Sequence, residues 1–537
     1  MSASYSLLLS RRVVWAKTSQ AVERRRLTLG GAWRDAKTDS KHGNNVMDAE
    51  GMVGLSACDA VAAISNGRFT ALAYAEALLA RCADRSDLNA FITLDPAAVR
   101  AAARAADARR TAGEVLGPLH GLPVPVKDSI NTFDMPTTAG TAALREFRPT
   151  SDATVVGRLR DAGAIVLGKT NLHELSFGWT SSNLAYGPVL NPWDASRIPG
   201  GSSGGTAAAV AAGMAPLGVA EDTQGSIRVP AALCGVAGFR PTTGRYPNDG
   251  CAPISSLFDQ IGPIARHIAD LVLFDAVVTG DYAPIMAPEL DGLRIGIARE
   301  YYFAGLDPGV AEVIEAVLKR LAIAGVRIIE ADVPGLSGLI ESITMPVQVH
   351  DVVPSIIDWL KRSGAKISLD DMLADVSPDV LGVLKQFALP GAPNEVGEGD
   401  YVAARDVHMP ALRSLLRNWF IEHRVDAMLL PATMTTAVPI GSKGWVRIGD
   451  ADVPFSTVMG RNIAPGSTAG LPGLVLPAGL ANGLPVAIEL DGPAGTDRQL
   501  LGIGLAFERM LGTLESQRTC RLHPGNAHAD GTGAAAA

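Results

Sequence analysis

Cysteine is scarce and poorly spaced for structural work. The five cysteines, Cys58, Cys82, Cys234, Cys251 and Cys520, are odd in number and form no CxxC pair. That excludes a disulfide framework and a zinc site, and fits a reducing compartment such as the cytoplasm. Aromatic residues are few, at 5%, and charged residues reach only 19%, against 47% hydrophobic residues and 57 glycines. This balance excludes wholesale disorder and fits an α/β protein with a sizeable core. Long apolar runs are missing as well. The longest charge-free run of small residues, 204–220, is mostly Ala and Gly and carries Pro216, so it reads as helix, turn and strand rather than a membrane span. Positive charge is lacking over most of the chain: beyond residue 46 there are 38 Lys/Arg against 52 Asp/Glu, a net −14. Such a body is a poor match for nucleic acid.

Residues 1–46 are the exception, with nine Lys/Arg against three Asp/Glu. Arg11, Arg12, Arg24, Arg25 and Arg26 give them some organelle-transit character, without the compact apolar segment of a secretory signal. They read as an upstream extension, disordered or foreign to a fold that begins near Met47 and runs to residue 522. The Gly- and Ala-rich tail, residues 523–537, reads as disordered.

Apolar residues recur at helical spacing over residues 55–82 and 96–112. Residues 120–128 alternate apolar side chains, yet Pro123 and Pro125 cannot donate to a sheet ladder, which predicts an edge or irregular strand ending on Lys127. Helix-then-strand units follow at 151–169, 310–329 and 411–430, then strands at 471–478 and 484–490 and a helix at 497–510. The alternation predicts an α/β fold with a parallel or mixed sheet. Residues 341–399, with helical stretches broken by Pro346, Pro354, Pro378, Pro390 and Pro393, read as a helical cap near the pocket.

Chemistry concentrates in two stretches. Gly200-Gly201-Ser202-Ser203-Gly204-Gly205 sets hydroxyls among glycines that let backbone N–H groups turn toward a substrate oxygen, although alone it would read as a linker. Glu221-Asp222-Thr223-Gln224-Gly225-Ser226-Ile227-Arg228-Val229-Pro230 fixes a serine near a strand end. Serine is a weak nucleophile at neutral pH and needs an adjacent base. Lys127 can serve if burial disfavours its charged form and brings its pKa from about 10.4 toward roughly 7–8, a shift of about 4 kcal/mol.

Here the sequence resembles the amidase-signature family, over about residues 57–508. The resemblance is carried by Gly121-Leu122-Pro123, Val126-Lys127-Asp128, Pro136-Thr137-Thr138-Ala139-Gly140-Thr141, Leu167-Gly168-Lys169-Thr170-Asn171, Asn191-Pro192-Trp193-Asp194, the GGSSGG loop, and Gly225-Ser226-Ile227-Arg228 through Gly238-Phe239-Arg240-Pro241-Thr242. It implies a single large domain, a central mixed sheet covered by helices on both faces, and amide hydrolysis without metal or organic cofactor. The family's nucleophile falls on Ser226, its lysine base on Lys127, and its bridging serine, held by a cis peptide bond, on Ser202. Backbone N–H groups of Thr223, Gln224, Gly225 and Ser226 would hold the oxyanion, with Ser203, Asp222 and Arg228 in support. Gly244-Arg245-Tyr246-Pro247 resembles indoleacetamide and mandelamide hydrolases within the family. This implies a stand-alone enzyme that converts a small apolar or aryl-substituted carboxamide to acid and ammonia or amine through an acyl-enzyme, with no nucleic-acid or membrane partner. A homodimer is also implied, and anilides, carbamates and esters share the chemistry.

Gln224 departs from the pattern, standing where the family commonly has glycine. A positive φ there would penalise glutamine; otherwise its amide is free to reach the pocket. Three other readings compete. A literal G-x-S-x-G makes Ser203 the nucleophile of an esterase with His350, His408 or His423, but Arg197-Ile198-Pro199 is not the strand that a nucleophile elbow follows. The acidic body disfavours a tRNA-dependent amidotransferase subunit, and the filled catalytic positions disfavour a non-enzymatic binding protein. His120 and His173 lack metal-ligand spacing and read as structural, while Met345, Met372 and Met409 read as core or pocket lining.

Overall fold

The computed structural model describes residues 47–442 and 444–514. The basic extension, the alanine-rich tail and the domain end at residue 522 lie outside the described residues. Local signals start the helices. Asp95 accepts from the N–H groups of Ala97 and Ala98, both at 3.0 Å, and Asp307 from Gly309 and Val310 at 2.9 and 3.3 Å. Each cap is worth about 1 kcal/mol. Pro96 and Pro308 follow, having no N–H to leave unsatisfied, and open the helices Pro96–Thr111 and Pro308–Ile323. The 55–82 pattern resolves into two helices, Ala57–Ser65 and Ala71–Asp84, because Gly67, at φ 70°, ends one and Thr70 caps the next.

The strands, in chain order, are β1 Phe91–Leu94, β2 Pro123–Lys127, β3 Ile165–Thr170, β4 Leu217–Asp222, β5 Ala237–Arg240, β6 Gln260–Ala265 and β7 Arg294–Ile297. They continue as β8 Arg327–Glu330, β9 Ala427–Pro431, β10 Trp445–Ile448, β11 Ala451–Pro454, β12 Gly473–Ala481 and β13 Leu484–Asp491. Eleven form one mixed sheet in the order β1-β3-β2-β4-β6-β5-β12-β13-β9-β7-β8, while β10 and β11 make a separate hairpin.

The edge position expected for the proline-bearing strand is wrong: β2 lies between β3 and β4, parallel to both. Its irregularity is real. The register against β3 slips between Val124 and Val126, around Pro125, and a single residue pair, Val126 with Val219, joins it to β4. An interior strand thus tolerates proline where the ladder is already interrupted.

Three helices position the site: α1 Gly204–Ala211, α2 Arg228–Cys234 and α3 Leu336–Ser363. α1 and α2 are buried along their whole length. α3 corrects a second expectation, since Pro346 and Pro354 lie inside one continuous 28-residue helix instead of breaking it. Its apolar side chains explain the continuity. Ile343 and Val347 enter one core cluster with Trp419 and Met428, while Val352, Ile356 and Trp359 enter another with Leu144, Leu175 and Ile254. Packing on both ends outweighs the backbone hydrogen bonds that the prolines remove, each proline costing about 3 kcal/mol in an unsupported helix. Pro378 behaves in the usual way, opening the helix Pro378–Val383. Among the described residues, no helix is long and apolar enough to cross a membrane.

Candidate active site

β2 delivers Lys127 to the interior of the sheet, where the side chain is fully buried. Its Nζ donates to Ser202 Oγ at 2.6 Å and pairs with Glu221 Oε1, on the neighbouring strand β4. The sequence-derived picture of a lysine shaped by dryness alone is therefore incomplete, because a buried carboxylate shares its environment. Ser202 stands two residues before α1, and the Gly201–Ser202 peptide bond is cis. The Ser202 carbonyl accepts from His173 N at 3.0 Å and Ser181 Oγ at 3.1 Å. Gly205 lets the loop fit: a Cβ there would run into the Asn171 and Ala90 carbonyls.

Ser226 lies in the turn between β4 and α2. The Ser203 N–H donates to the Ser226 carbonyl at 3.2 Å, joining the two serine-bearing segments. Ser203 Oγ donates to the Glu221 carbonyl at 3.1 Å, so its hydroxyl is committed to the backbone. That commitment argues against Ser203 as an esterase nucleophile, as does His350, which stacks on Tyr401 at 3.7 Å.

The turn also accommodates Gln224. The left-handed residue is its neighbour Gly225, at φ 99°, while Gln224 keeps a negative φ. A Cβ on Gly225 would come 2.9 Å from Ile463 Cγ2, so glycine is needed there for space as well as conformation. Trp179 Nε1 donates to the Gln224 carbonyl at 3.0 Å, and Gln224 Nε2 donates to Thr468 Oγ1 at 3.2 Å. Thr468 in turn bonds Thr344 of α3 at 3.0 Å, so the glutamine amide reaches a polar chain leading to the long helix. One predicted oxyanion donor is otherwise engaged: Gly225 N–H donates to Asp222 Oδ1 at 2.7 Å. Among the described residues the N–H groups of Thr223, Gln224 and Ser226 take no acceptor.

Asp222 organises the turn. Besides Gly225 it accepts from Ile227 N at 3.0 Å and from Arg228 Nε and Nη2, both at 3.1 Å. Burial pushes its carboxyl up, but Arg228 and Arg240 overcome that and hold it at about 2. Arg228 also donates to Glu489 Oε1 at 2.5 Å and to Ser467 Oγ. Glu489 and Asp491 are themselves pushed up by burial in this crowded site. On the opposite side, Asp259 accepts from Thr223 Oγ1 at 2.7 Å, and burial followed by the Glu221 charge raises it to about 7. His173 is buried and pushed down to about 4, first by burial, against the pull of Asp379. His120 is buried too; of the three methionines, Met372 and Met409 are core and Met345 is half exposed.

The family profile described as Amidase matches residues 73–501. The chain belongs to the amidase family. It is 40% identical to an indoleacetamide hydrolase of Agrobacterium vitis over 445 residues, covering 82% of this chain and 94% of that one. It is 38% identical to a mandelamide hydrolase of Pseudomonas putida over 475 residues, covering 85% and 92%. Its fold matches the native peptide amidase of Stenotrophomonas maltophilia with a TM-score of 0.72 and 30% identity, covering 85% of this chain and 97% of that one. The protein is thus a C–N hydrolase acting on amides, built as a single α/β amidase domain around the mixed sheet.

Several groups of this amidase site carry little signal in the sequence. Glu221 was in view beside Asp222, and a second acid at the end of an apolar strand was the available signal. Asp259, Ser467 and Glu489 carried no local signal, because contacts 36 to 261 residues away bring them in.

Proposed function

We propose that the chain hydrolyses a small apolar or aryl-substituted carboxamide to acid and ammonia or amine, with Ser226 as nucleophile, Ser202 as relay and Lys127 as base. The observation that carries this reading is the 2.6 Å contact from the buried Lys127 Nζ to Ser202 Oγ, on a loop hydrogen-bonded to the Ser226 turn. Ser226 Oγ attacks the amide carbon and its proton moves through Ser202 toward Lys127. Thr223, Gln224 and Ser226 N–H groups receive the developing oxyanion; such a donor is typically worth about 3 kcal/mol of barrier. The relay then protonates the leaving amine, and water releases the acid from the acyl-enzyme. Asp222, Arg228 and Ser203 hold the two serine segments in register.

Substrate class rests on the indoleacetamide and mandelamide hydrolases, more than nine-tenths of whose lengths the match spans. Residues 341–399 would wall the acyl pocket. The reading includes a homodimer and a cytoplasmic site of action, the latter in keeping with Cys58, Cys82 and Cys251 being in no disulfide. Ammonia release from indole-3-acetamide, mandelamide and an anilide tests it. We expect turnover of the first two, and in Ser226→Ala a loss of about a thousandfold or more with the fold intact. Near-normal hydrolysis by that variant would refute the assignment.

A further inference from the structure

We propose that Glu221 is a fourth member of the proton relay, taking the proton that Lys127 must shed before it can receive the one leaving Ser226. The proposal rests on the reading of Ser226, Ser202 and Lys127 above. A lysine accepts a proton only as an amine. Here Lys127 and Glu221 are 0% and 2% exposed, and Nζ contacts the Glu221 carboxylate and the Ser202 hydroxyl together. An ammonium–carboxylate pair and an amine–carboxylic acid pair contain the same atoms and carry the same net charge. Exchange between them takes nothing from solvent and leaves the net charge of the dry site unchanged, sparing it the cost of burying a lone ion. The strand geometry keeps the two groups together: β2 and β4 are parallel neighbours, and Glu221 is held further through its own carbonyl by Ser203.

The sequence of transfers balances. The Lys127 proton moves to Glu221, leaving amine and carboxylic acid. Ser226 Oγ bonds the amide carbon and the carbonyl π pair moves to oxygen; the Ser226 proton passes to Ser202 while the Ser202 proton passes to the Lys127 lone pair. On collapse the C–N bond breaks, and the leaving nitrogen takes a proton from Ser202, which is resupplied by Lys127. The proton held on Glu221 then returns to Lys127, restoring the ion pair.

Other ionisable groups face this pair. His173 is pushed down to about 4, chiefly by burial, so its ring is neutral at neutral pH. Burial and the Glu221 charge push the Cys251 thiol up. Asp128 is tied to Lys169 at 3.0 Å. Asp259, raised to about 7 by burial and then by Glu221, is the neighbour that titrates near neutral pH.

The experiment measures how fast a fluorophosphonate phosphonylates the serine, with loss of fluoride, as a function of pH, alongside kcat/KM on a primary carboxamide. Without the carboxyl, Lys127 must lose its proton to solvent. Glu221→Gln should therefore move the acid limb up by about one pH unit or more, a loss of about tenfold or more on that limb. Glu221→Asp, which restores an acid, should bring the limb back toward wild type, and the Glu221→Gln shift should persist in an Asp259→Asn background. A folded Glu221→Gln variant whose limb stays or moves down overturns the proposal, as does a shift that vanishes with Asp259→Asn. If Glu221→Gln prevents folding, a Glu221→Asp limb as far displaced as that of a lone lysine overturns it. Ser226→Ala separates the two levels: activity surviving there refutes the underlying reading, whereas an inactive Ser226→Ala with an unmoved Glu221→Gln limb refutes only the role of Glu221.

Discussion

Lys127 closes β2 and Lys169 lies near the end of the adjacent β3; neither is exposed, and each faces a buried carboxylate. Their remaining partners differ. Lys169 pairs with Asp128 at 3.0 Å and donates to the Pro136 carbonyl at 3.0 Å and Thr137 Oγ1 at 2.8 Å, and the Thr137 hydroxyl points on to the Ile130 carbonyl at 3.5 Å. That chain ends on backbone. Lys127 contacts Ser202, whose loop is bonded to the Ser226 turn. Burial pushes Lys169 down, with Asp128 opposing. A dry, ion-paired lysine is therefore a structural device as readily as a chemical one, and what separates the two is whether the next hydroxyl leads to a reacting atom.

The largest test exchanges each lysine for methionine. Both variants strand a buried carboxylate and should lose about 3–5 kcal/mol of stability in urea unfolding. Only Lys127→Met should also lose turnover by about a thousandfold or more per folded molecule. A comparable loss in Lys169→Met would erase the distinction. A smaller pair deletes the hydroxyl that each lysine contacts. Ser202→Ala should cost about a hundredfold or more in kcat, whereas Thr137→Val should cost about 1 kcal/mol of stability and leave kcat near wild type.

The subtlest test uses His173, whose backbone N–H bonds the Ser202 carbonyl. The unfolded chain protonates this ring below about 6.5, the folded one only below about 4. The unfolded state therefore binds more protons within that window, and stability falls as pH drops through it. Lys127 is among the charges pushing the ring down, after burial. Lys127→Met should narrow the window and Lys169→Met should leave it unchanged, as pH-dependent urea midpoints would report.

Much of this was legible in the sequence. Units such as 310–329 match a helix and β8, and 484–490 matches β13, because apolar periodicity records which face is buried. The two serine loops were visible because glycine and serine cluster where backbone must turn tightly. The interior position of β2 was not legible: a proline predicts a missing donor, and only the sheet reveals that the ladder slips there. Nor was the continuity of α3 through two prolines, which depends on what packs around them. The Gly225 commitment to Asp222 was not legible for a related reason, since a motif identifies residues without saying which N–H each acceptor has claimed.

The bond from Arg228 to Glu489 spans 261 residues. During synthesis at about 5–20 residues per second, the arginine beside the serine turn waits some tens of seconds for its second carboxylate to be made. β13 then joins β12 and β9 in the middle of the sheet. The turn is thus among the last parts of the molecule to find its full electrostatic setting, and a nascent chain is not a working hydrolase until nearly all of the fold has emerged from the ribosome.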